Sequence, residues 1–156
     1  YNQKESFLLV QENKKWGLLD KNLKTIIPIE KEQLKPIVAI DKYSKKQTRF
    51  LVKENKKWGV LGINNQLILE VEYDYIEPVQ WKRSTLNIPQ QPLFVVTKNG
   101  KKGIVDAEGN VVLAIKYTAI HYNKAAFDGL FEVEEGSLSK QMQWDGIKMT
   151  ALSMKP

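Results

Sequence analysis

The sequence predicts an all-β protein built from tandem three-stranded antiparallel meanders, coiled as an open solenoid or a propeller-like spiral. Three observations predict this fold. A five-residue phrase, NKKWG or NGKKG, occurs three times, and the segments around it align for 30 residues without a gap. Inside each segment, runs of β-branched and aromatic residues alternate with turn residues. No stretch has a helical period, and self-similarity at a fixed interval is typical of repeat architectures.

The alignment defines the copies. The phrase lies at residues 13–17, 55–59 and 99–103. The chain is predicted to form a single β-repeat domain over residues 1–156, with units at about 8–37, 50–79 and 94–123 and a partial fourth unit from residue 131. The fourth unit starts with Phe131-Glu132-Val133 and then loses the pattern, as a terminal capping repeat does.

The first turn of each copy is predicted to close a β-hairpin. Asn99-Gly100 is the favoured pair for a two-residue type I′ turn, because both positions need a positive φ. The other copies place Lys14 and Lys56 where the third has glycine. A lysine at positive φ is strained by about 1 kcal/mol. Those copies are therefore expected to use either the same turn or a looser three-residue loop.

A two-residue turn fixes the pairing of the strands that follow it. Lys53 would face Trp58, and Val52 would face Gly59. A glycine inside a strand marks the close approach of another group, so we expect a neighbouring unit to pack over Gly59. Trp58 would lie on the other face along the Lys53 stem. Both faces of the hairpin are then apolar and need cover.

The same positions are predicted to be structural in every copy. These residues are Trp16, Gly17, Trp58, Gly59 and Gly103. A second turn then begins at Asp20, Gly62 or Asp106, and it is rich in residues whose side chains favour turns. A third strand follows, and each copy closes on a column that holds Lys31, Tyr73 and Tyr117.

These columns resemble the WG-containing β-repeat family of bacterial proteins. Trp16-Gly17, Trp58-Gly59, Pro28, Tyr73-Asp74 and the two turn aspartates match its pattern, over about residues 8–123. Lys102 departs from it where tryptophan is expected, as does Gly62 where aspartate is expected. The resemblance implies exported or surface-associated proteins with binding or scaffolding roles and no established catalytic residues.

Composition limits the classes of function. The chain has 156 residues, no cysteine and a net charge of +6, so disulfides and thiolate metal sites are excluded and anionic partners are favoured. No apolar run is long enough to span a bilayer. A chain that starts at Tyr1 fits one whose leader was removed, or a fragment. We expect an exported protein, with membrane association only through a removed leader, and a cytoplasmic location stays open.

No catalytic or metal-binding constellation stands out, and no cofactor is expected. A cation site repeated in all copies is excluded because Gly62 replaces the turn aspartate in the second copy. His121 is the only histidine, so no zinc cluster is expected. We therefore expect a non-enzymatic protein. The alternative is a hydrolase of cell-envelope polymers that uses Glu72 or Glu77 with a second carboxylate.

The inserts between copies carry the predicted binding site. They span residues 38–49 and 80–93 and combine cations with aromatic rings. The candidate binding residues are Tyr43, Lys45, Lys46, Arg49, Trp81, Lys82 and Arg83. Such groups suit an anionic polymer or the acidic face of a protein by charge attraction and stacking. Nucleic acid is not an expected partner, because no recognised reader motif is present. The alternative is a pair of solvated loops with Trp81 folded down as a plug.

Overall fold

A computed structural model of the chain describes residues 6–40, 46–80, 83–84 and 93–152. Within these ranges every regular element is a β-strand and no helix occurs. Four sheets are antiparallel with three or four strands each, and one small pair is parallel. The predicted all-β class with antiparallel sheets is thus confirmed.

The chain divides into two compact units. The first comprises Tyr1–Val38 and Thr48–Glu72, and the second comprises Ala39–Gln47 and Tyr73–Pro156.

The first sheet of unit one contains β1 (Phe7–Glu12), β2 (Lys15–Asp20) and β3 (Thr25–Lys31), in that order. The second contains β4 (Gln33–Ile40), β5 (Lys46–Glu54), β6 (Lys57–Gly62) and β7 (Leu67–Tyr73), also in chain order. Lys53 pairs with Trp58 and Val52 with Gly59. This is the register predicted from the hairpin sequence.

Unit two begins with β8 (Tyr75–Pro78), β9 (Arg83–Ser84), β10 (Leu93–Lys98), β11 (Lys101–Asp106) and β12 (Val111–Tyr117). It continues with β13 (Ala119–Tyr122), β14 (Ala126–Phe127), β15 (Leu130–Glu135), β16 (Leu138–Trp144) and β17 (Met149–Ala151). Its larger sheets have the orders β12-β11-β10-β8 and β13-β15-β16-β17, and β9 pairs with β14 in parallel.

Three of the sheets have a fourth strand in addition to the predicted meander. The segment that closes one copy pairs with the first strand of the next copy, so β4, β8 and β13 are named tail strands here. A bend precedes each tail strand, and the amide of the bend residue donates to a carbonyl near the end of the next hairpin strand. These bonds join Glu32 to Lys53 at 2.9 Å, Asp74 to Thr97 at 2.8 Å and Thr118 to Glu134 at 2.7 Å.

The first turn has two residues in all three copies, because φ is positive at both central positions. The values are 51° and 63° at Asn13 and Lys14, 49° and 65° at Asn55 and Lys56, and 52° and 77° at Asn99 and Gly100. The looser three-residue alternative for the lysine-containing copies is wrong, and two lysines adopt the left-handed conformation.

Each copy needs a glycine at the same strand position, for a different reason from the one predicted. A Cβ on Gly17 would lie 2.7 Å from both the Ile27 carbonyl oxygen and the Ile29 Cα. A Cβ on Gly59 or Gly103 would lie 2.7 to 2.9 Å from the corresponding backbone atoms of its own third strand. The register of β2 and β3 shifts between Trp16 and Leu18, across Gly17, and again between Leu18 and Leu19, as at a β-bulge. The close group in each copy is therefore the third strand of the same sheet and not a neighbouring unit.

Each unit has its own apolar core. In unit one Leu18 and Ile27 of the first sheet pack in one cluster with Phe50 and Val52 of the second. In unit two the equivalent residues pack likewise, in a cluster that contains Ile104, Leu113, Phe131 and Val133 with Phe127 and Trp144. Within each unit, one copy thus covers the first hairpin strand of the next.

Candidate functional site

The predicted insert site lies mostly beyond the described residues. Tyr43, Lys45, Trp81 and Lys82 fall outside the described ranges. Lys46 and Arg83 are the first residues of β5 and β9, where only the backbone is described. Arg49 is half-buried and pairs with Gly62 across β5 and β6. Arg49 is therefore a strand residue, whereas the sequence placed it in an insert.

The hairpin tips are the repeated basic feature of the described chain. Each carries two lysines, here named the hairpin lysines: Lys14, Lys15, Lys56, Lys57, Lys101 and Lys102. Lys57 and Lys102 are half-buried and the other four are exposed. Among described residues no acid forms an ion pair with Lys14, Lys15, Lys56 or Lys101. Within the described part of the chain, the charge of these four lysines therefore faces solvent without an acidic partner.

Lys14 and Lys56 hold this charge at a conformational cost. Their φ values of 63° and 65° lie in the left-handed region, which costs a residue with a Cβ about 1 kcal/mol. The third copy places Gly100 at the same position, where the cost disappears. Backbone strain that persists at an exposed residue is a feature of functional positions. In the sequence, Lys14 and Lys56 stand out only because they replace the turn glycine, and the predicted binding site does not include them.

Two further lysines lie beside Trp58, the repeated tryptophan of the second sheet. Trp58 is half-buried, and its ring centroid lies 5.5 Å from Lys35 Nζ and 5.7 Å from Lys53 Nζ. Contacts of this kind contribute about 0.5–1 kcal/mol at exposed sites. In the third copy Lys102 replaces the tryptophan and donates to Thr97 Oγ1 at 3.2 Å. In the second copy Trp58 therefore contacts two lysines, and in the third copy a lysine replaces the tryptophan.

The turn aspartates use their carboxylates to hold the backbone. Asp20 Oδ1 accepts from the amides of Asn22 at 2.8 Å and Lys24 at 2.9 Å. Asp106 Oδ1 accepts the equivalent pair of amides, both at 2.9 Å. Within the described ranges, no group of three histidine or acidic residues could hold a metal ion.

The second copy replaces the aspartate by a device that the sequence did not reveal. Gln66 Oε1 accepts the Asn64 amide at 2.8 Å, in place of the missing carboxylate. The Gln66 side chain fills the space that a Cβ on Gly62 would need. The turn therefore keeps its acceptor although its first residue is glycine.

The carboxylates of the hydrolase alternative have different surroundings. Glu72 is exposed on β7. Glu77 Oε1 lies 3.1 Å from Lys124 Nζ, and this hydrogen bond raises the pKa of Lys124. Nearby, burial raises the pKa of Tyr122, whose hydroxyl accepts the Gln80 amide at 3.4 Å. Glu77 is thus engaged by a cation.

Comparison of the chain with protein-family models, curated proteins and solved structures gives no match. In the part of the chain that the structure describes, no helix has the length and apolar character needed to cross a membrane. The chemistry of the hairpin lysines is therefore the basis for a proposed function.

Proposed function

We propose that the protein is a non-catalytic binding module that holds an anionic polymer through its hairpin lysines. One observation carries the proposal. Lys14 and Lys56 are exposed, have no ion-pair partner among described residues and adopt a left-handed conformation that glycine would adopt without strain. A side chain kept at a conformational cost, on a turn that does not need it, is best explained by what the side chain binds.

The chemistry suits a polymer with regularly spaced negative charges. A lysine ammonium is a compact point charge with three donors, so it binds phosphate, sulfate or carboxylate groups without a fixed orientation. Each exposed contact is weak, because water and salt screen it. Hairpins repeated along one chain can engage several groups of one polymer, and multivalent contact then raises the affinity. The net charge of +6 adds a general attraction.

The proposal includes the repeat arrangement that the gap-free 30-residue alignment predicts, either an open solenoid or a propeller-like spiral. It is supported by the recurrent hydrogen bond from the bend residue, which occurs within unit one at Glu32 and within unit two at Asp74 and Thr118. Such an array would present one hairpin per copy. The insert residues Lys45, Lys46, Lys82 and Arg83 would add cations to the same polymer.

The test compares two double variants with the same change of charge. Lys14→Gly with Lys56→Gly removes two hairpin lysines, and Lys21→Ser with Lys24→Ser removes two lysines of the second turn. Binding to long-chain polyphosphate and to dextran sulfate is measured at two salt concentrations. We expect the hairpin variant to lose at least fivefold more affinity than the control and to have a shallower salt dependence. Equal losses in the two variants, or no binding by the wild-type chain, would overturn the proposal.

A second experiment tests the predicted insert residues. Serine replaces Lys45, Lys46, Lys82 and Arg83 together, and binding to the same polymers is measured at the same two salt concentrations. A lower affinity with a shallower salt dependence would include the inserts in the site. Unchanged affinity and salt dependence would restrict the site to the hairpins. Binding of an acidic protein surface but of neither polymer would replace the polymer by a protein partner.

A further inference from the structure

The outer edge of β1 differs from the equivalent edge in the other three sheets. There, the first hairpin strand is covered by a tail strand, with β4 on β5, β8 on β10 and β13 on β15. The first sheet has only β1, β2 and β3, and none of the described strands pairs with the outer edge of β1. Among the described strands, β1 therefore has no pairing partner at the edge that a tail strand covers in the other three sheets.

The side chains of β1 show the same difference. Leu8 is 49% exposed, whereas its equivalents Phe50, Phe94 and Phe131 are at most 1% exposed. Val10 is half-buried, whereas the equivalent valines are fully buried; these are Val52, Val96 and Val133. Leu8 and Val10 are thus apolar like their buried equivalents, but they are more exposed. Such exposed apolar side chains are typical of a surface that binds a partner.

The backbone of β1 is aligned to receive a strand. The two-residue turn makes Glu12 and Lys15 a hydrogen-bonded pair, so the peptide groups of Gln11 and Leu9 point away from β2. Gln11 corresponds to Lys53, Thr97 and Glu134, whose carbonyls accept the bend amide before each tail strand. The Gln11 carbonyl is thus the expected acceptor for a fourth strand.

The three tail strands show what kind of segment fits. The second residue of each is aliphatic and packs inward: Leu34, Ile76 or Ile120. Ile76 lies opposite Val96 and Ile120 lies opposite Val133. By the same register, an aliphatic residue of an added strand would lie opposite Val10 and shield it. Alternate side chains in pockets give specificity when a strand is added to a sheet edge.

Charge at the hairpin end specifies a further feature of the segment. Glu54 and Glu135 end their hairpin strands, and each meets a lysine from the strand that leads into the tail. Lys31 Nζ lies 2.8 Å from Glu54, and Lys116 Nζ lies 3.5 Å from Glu135. β1 also ends in a glutamate, the exposed Glu12. A fitting segment therefore carries a lysine just before its bend.

We propose that the outer edge of β1 is a strand-acceptor site for another polypeptide. Its ligand is an extended segment that pairs antiparallel with β1 and carries a lysine, a polar bend residue and an inward-facing leucine or isoleucine two positions after the bend. A second copy of this chain is not the favoured ligand, because its described tail strands are already paired in their own sheets. This site lies on the outer edge of β1, and the pairing proposed for it does not depend on polymer binding by the hairpin lysines.

The probe is a fluorescent peptide with the sequence of residues 29–37, IEKEQLKPI, and its anisotropy is followed as the full chain is added. We expect saturable binding that a leucine-to-serine change at peptide position 34 weakens at least tenfold. Gln11→Pro removes an outward amide without touching the β1–β2 hydrogen bonds, so it should abolish binding while the circular dichroism stays unchanged. Leu8→Ser should weaken binding, and Leu138→Ser, at a 74% exposed leucine of another hairpin, serves as its control.

A charge exchange tests the predicted pairing. A peptide with glutamate in place of Lys31 should bind the wild-type chain several-fold more weakly and recover on the Glu12→Lys variant. Absence of saturable binding, or equal losses for Leu8→Ser and Leu138→Ser, would overturn the proposal. Self-association that Gln11→Pro abolishes, without peptide binding, would assign the edge to a second copy and overturn it as well.

Discussion

The Lys31 ammonium lies 2.8 Å from the Glu54 carboxylate. In the next copy, Tyr73 is equivalent to Lys31 and Lys98 is equivalent to Glu54. There, Lys98 Nζ lies 6.0 Å from the centroid of the Tyr73 ring. In both cases the residue that closes a third strand meets the residue that ends the next hairpin strand. The residue that closes a third strand is therefore matched to the residue that ends the next hairpin strand, as lysine with glutamate or as tyrosine with lysine.

This dependence predicts non-additive effects in a double-mutant cycle. Lys31 has only 12% of its side chain exposed, so Glu54→Lys places two cations together and should cost about 1–2 kcal/mol. Lys31→Tyr alone leaves Glu54 without its cation. The two changes together reproduce the Tyr73–Lys98 arrangement and should cost less than the sum of the singles by at least about 0.5 kcal/mol. Urea unfolding measures all four proteins, and additive costs would contradict the coupling.

The left-handed lysines predict a stabilising substitution. Lys14→Gly relieves a strain of about 1 kcal/mol and introduces a glycine entropy cost of about 0.5–1 kcal/mol, so the free energy of unfolding should rise by up to about 0.5 kcal/mol. Lys15 begins β2 and does not have a positive φ. Lys15→Gly is therefore the matched control and should lower stability. Thermal melts measure both variants, and Lys14→Gly should have the higher melting temperature. A higher melting temperature for Lys15→Gly would show that Lys14 is not strained.

The strand glycines predict a steep cost for a single methyl group. A Cβ on Gly103 would lie 2.7 Å from the Leu113 carbonyl oxygen and 2.8 Å from the Ile115 Cα, and these backbone atoms are fixed by the sheet. Gly103→Ala should cost about 1–3 kcal/mol, as overpacking does. Gly100→Ala is the control, because nothing lies within 4 Å of its Cβ position and only its φ of 77° opposes the change. Its cost should stay near 1 kcal/mol. Equal costs in denaturant melts would show that the bulge relaxes.

The second turn predicts a compensated exchange. Gln66→Ala removes the acceptor of the Asn64 amide and should lower stability by about 0.5–1 kcal/mol. Gly62→Asp alone brings a carboxylate into space that the Gln66 side chain fills. Gly62→Asp with Gln66→Asn reproduces the Asp106 and Asn110 pair of the third copy and should restore wild-type stability. A double variant as unstable as Gln66→Ala would mean that the two acceptors are not interchangeable.

The hairpins could be predicted from the sequence because a two-residue turn fixes the register of both strands. Lys53 opposite Trp58 follows from the turn at Asn55 and Lys56 alone. The role of Gly59 could not be predicted in the same way. A Cβ on Gly59 would lie 2.7 Å from the carbonyl oxygen of Leu69 on the third strand of the same sheet, and the sequence around Gly59 does not show which backbone atoms approach it. Local turn chemistry was readable, whereas close backbone approach was not.

The tail strands and the site were missed for related reasons. β8 pairs with β10, which lies beyond an insert of the sequence, and pairing across such a distance leaves no periodic signal within one copy. The prediction of the site relied on seven insert residues, four of which fall outside the described residues. Lys14 and Lys56 became informative only when their positive φ was known. Sequence repetition thus identified the scaffold, and backbone conformation identified the residues under strain.

The turn before β17 predicts a pH-dependent stability. The amides of Lys148 and Ile147 each donate to Asp145 Oδ1 at 2.8 Å, and they hold the pKa of Asp145 below its usual range. A carboxyl whose pKa is lower in the folded chain stabilises the fold above its unfolded pKa, about 3.9. This stabilisation is lost as pH falls through the folded pKa. Asp145→Ala should therefore lower the melting temperature at pH 7, and the gap from wild type should narrow below about pH 4.

Asp145→Asn separates the charge of Asp145 from its geometry. The amide oxygen of asparagine can accept the same two backbone amides but does not titrate. The gap between Asp145→Asn and Asp145→Ala should therefore stay constant from pH 7 to pH 3, whereas the gap between wild type and either variant should shrink. Calorimetric melts at four pH values measure these gaps. A gap between wild type and Asp145→Ala that is constant over this range would show that the ionised carboxylate does not stabilise the turn.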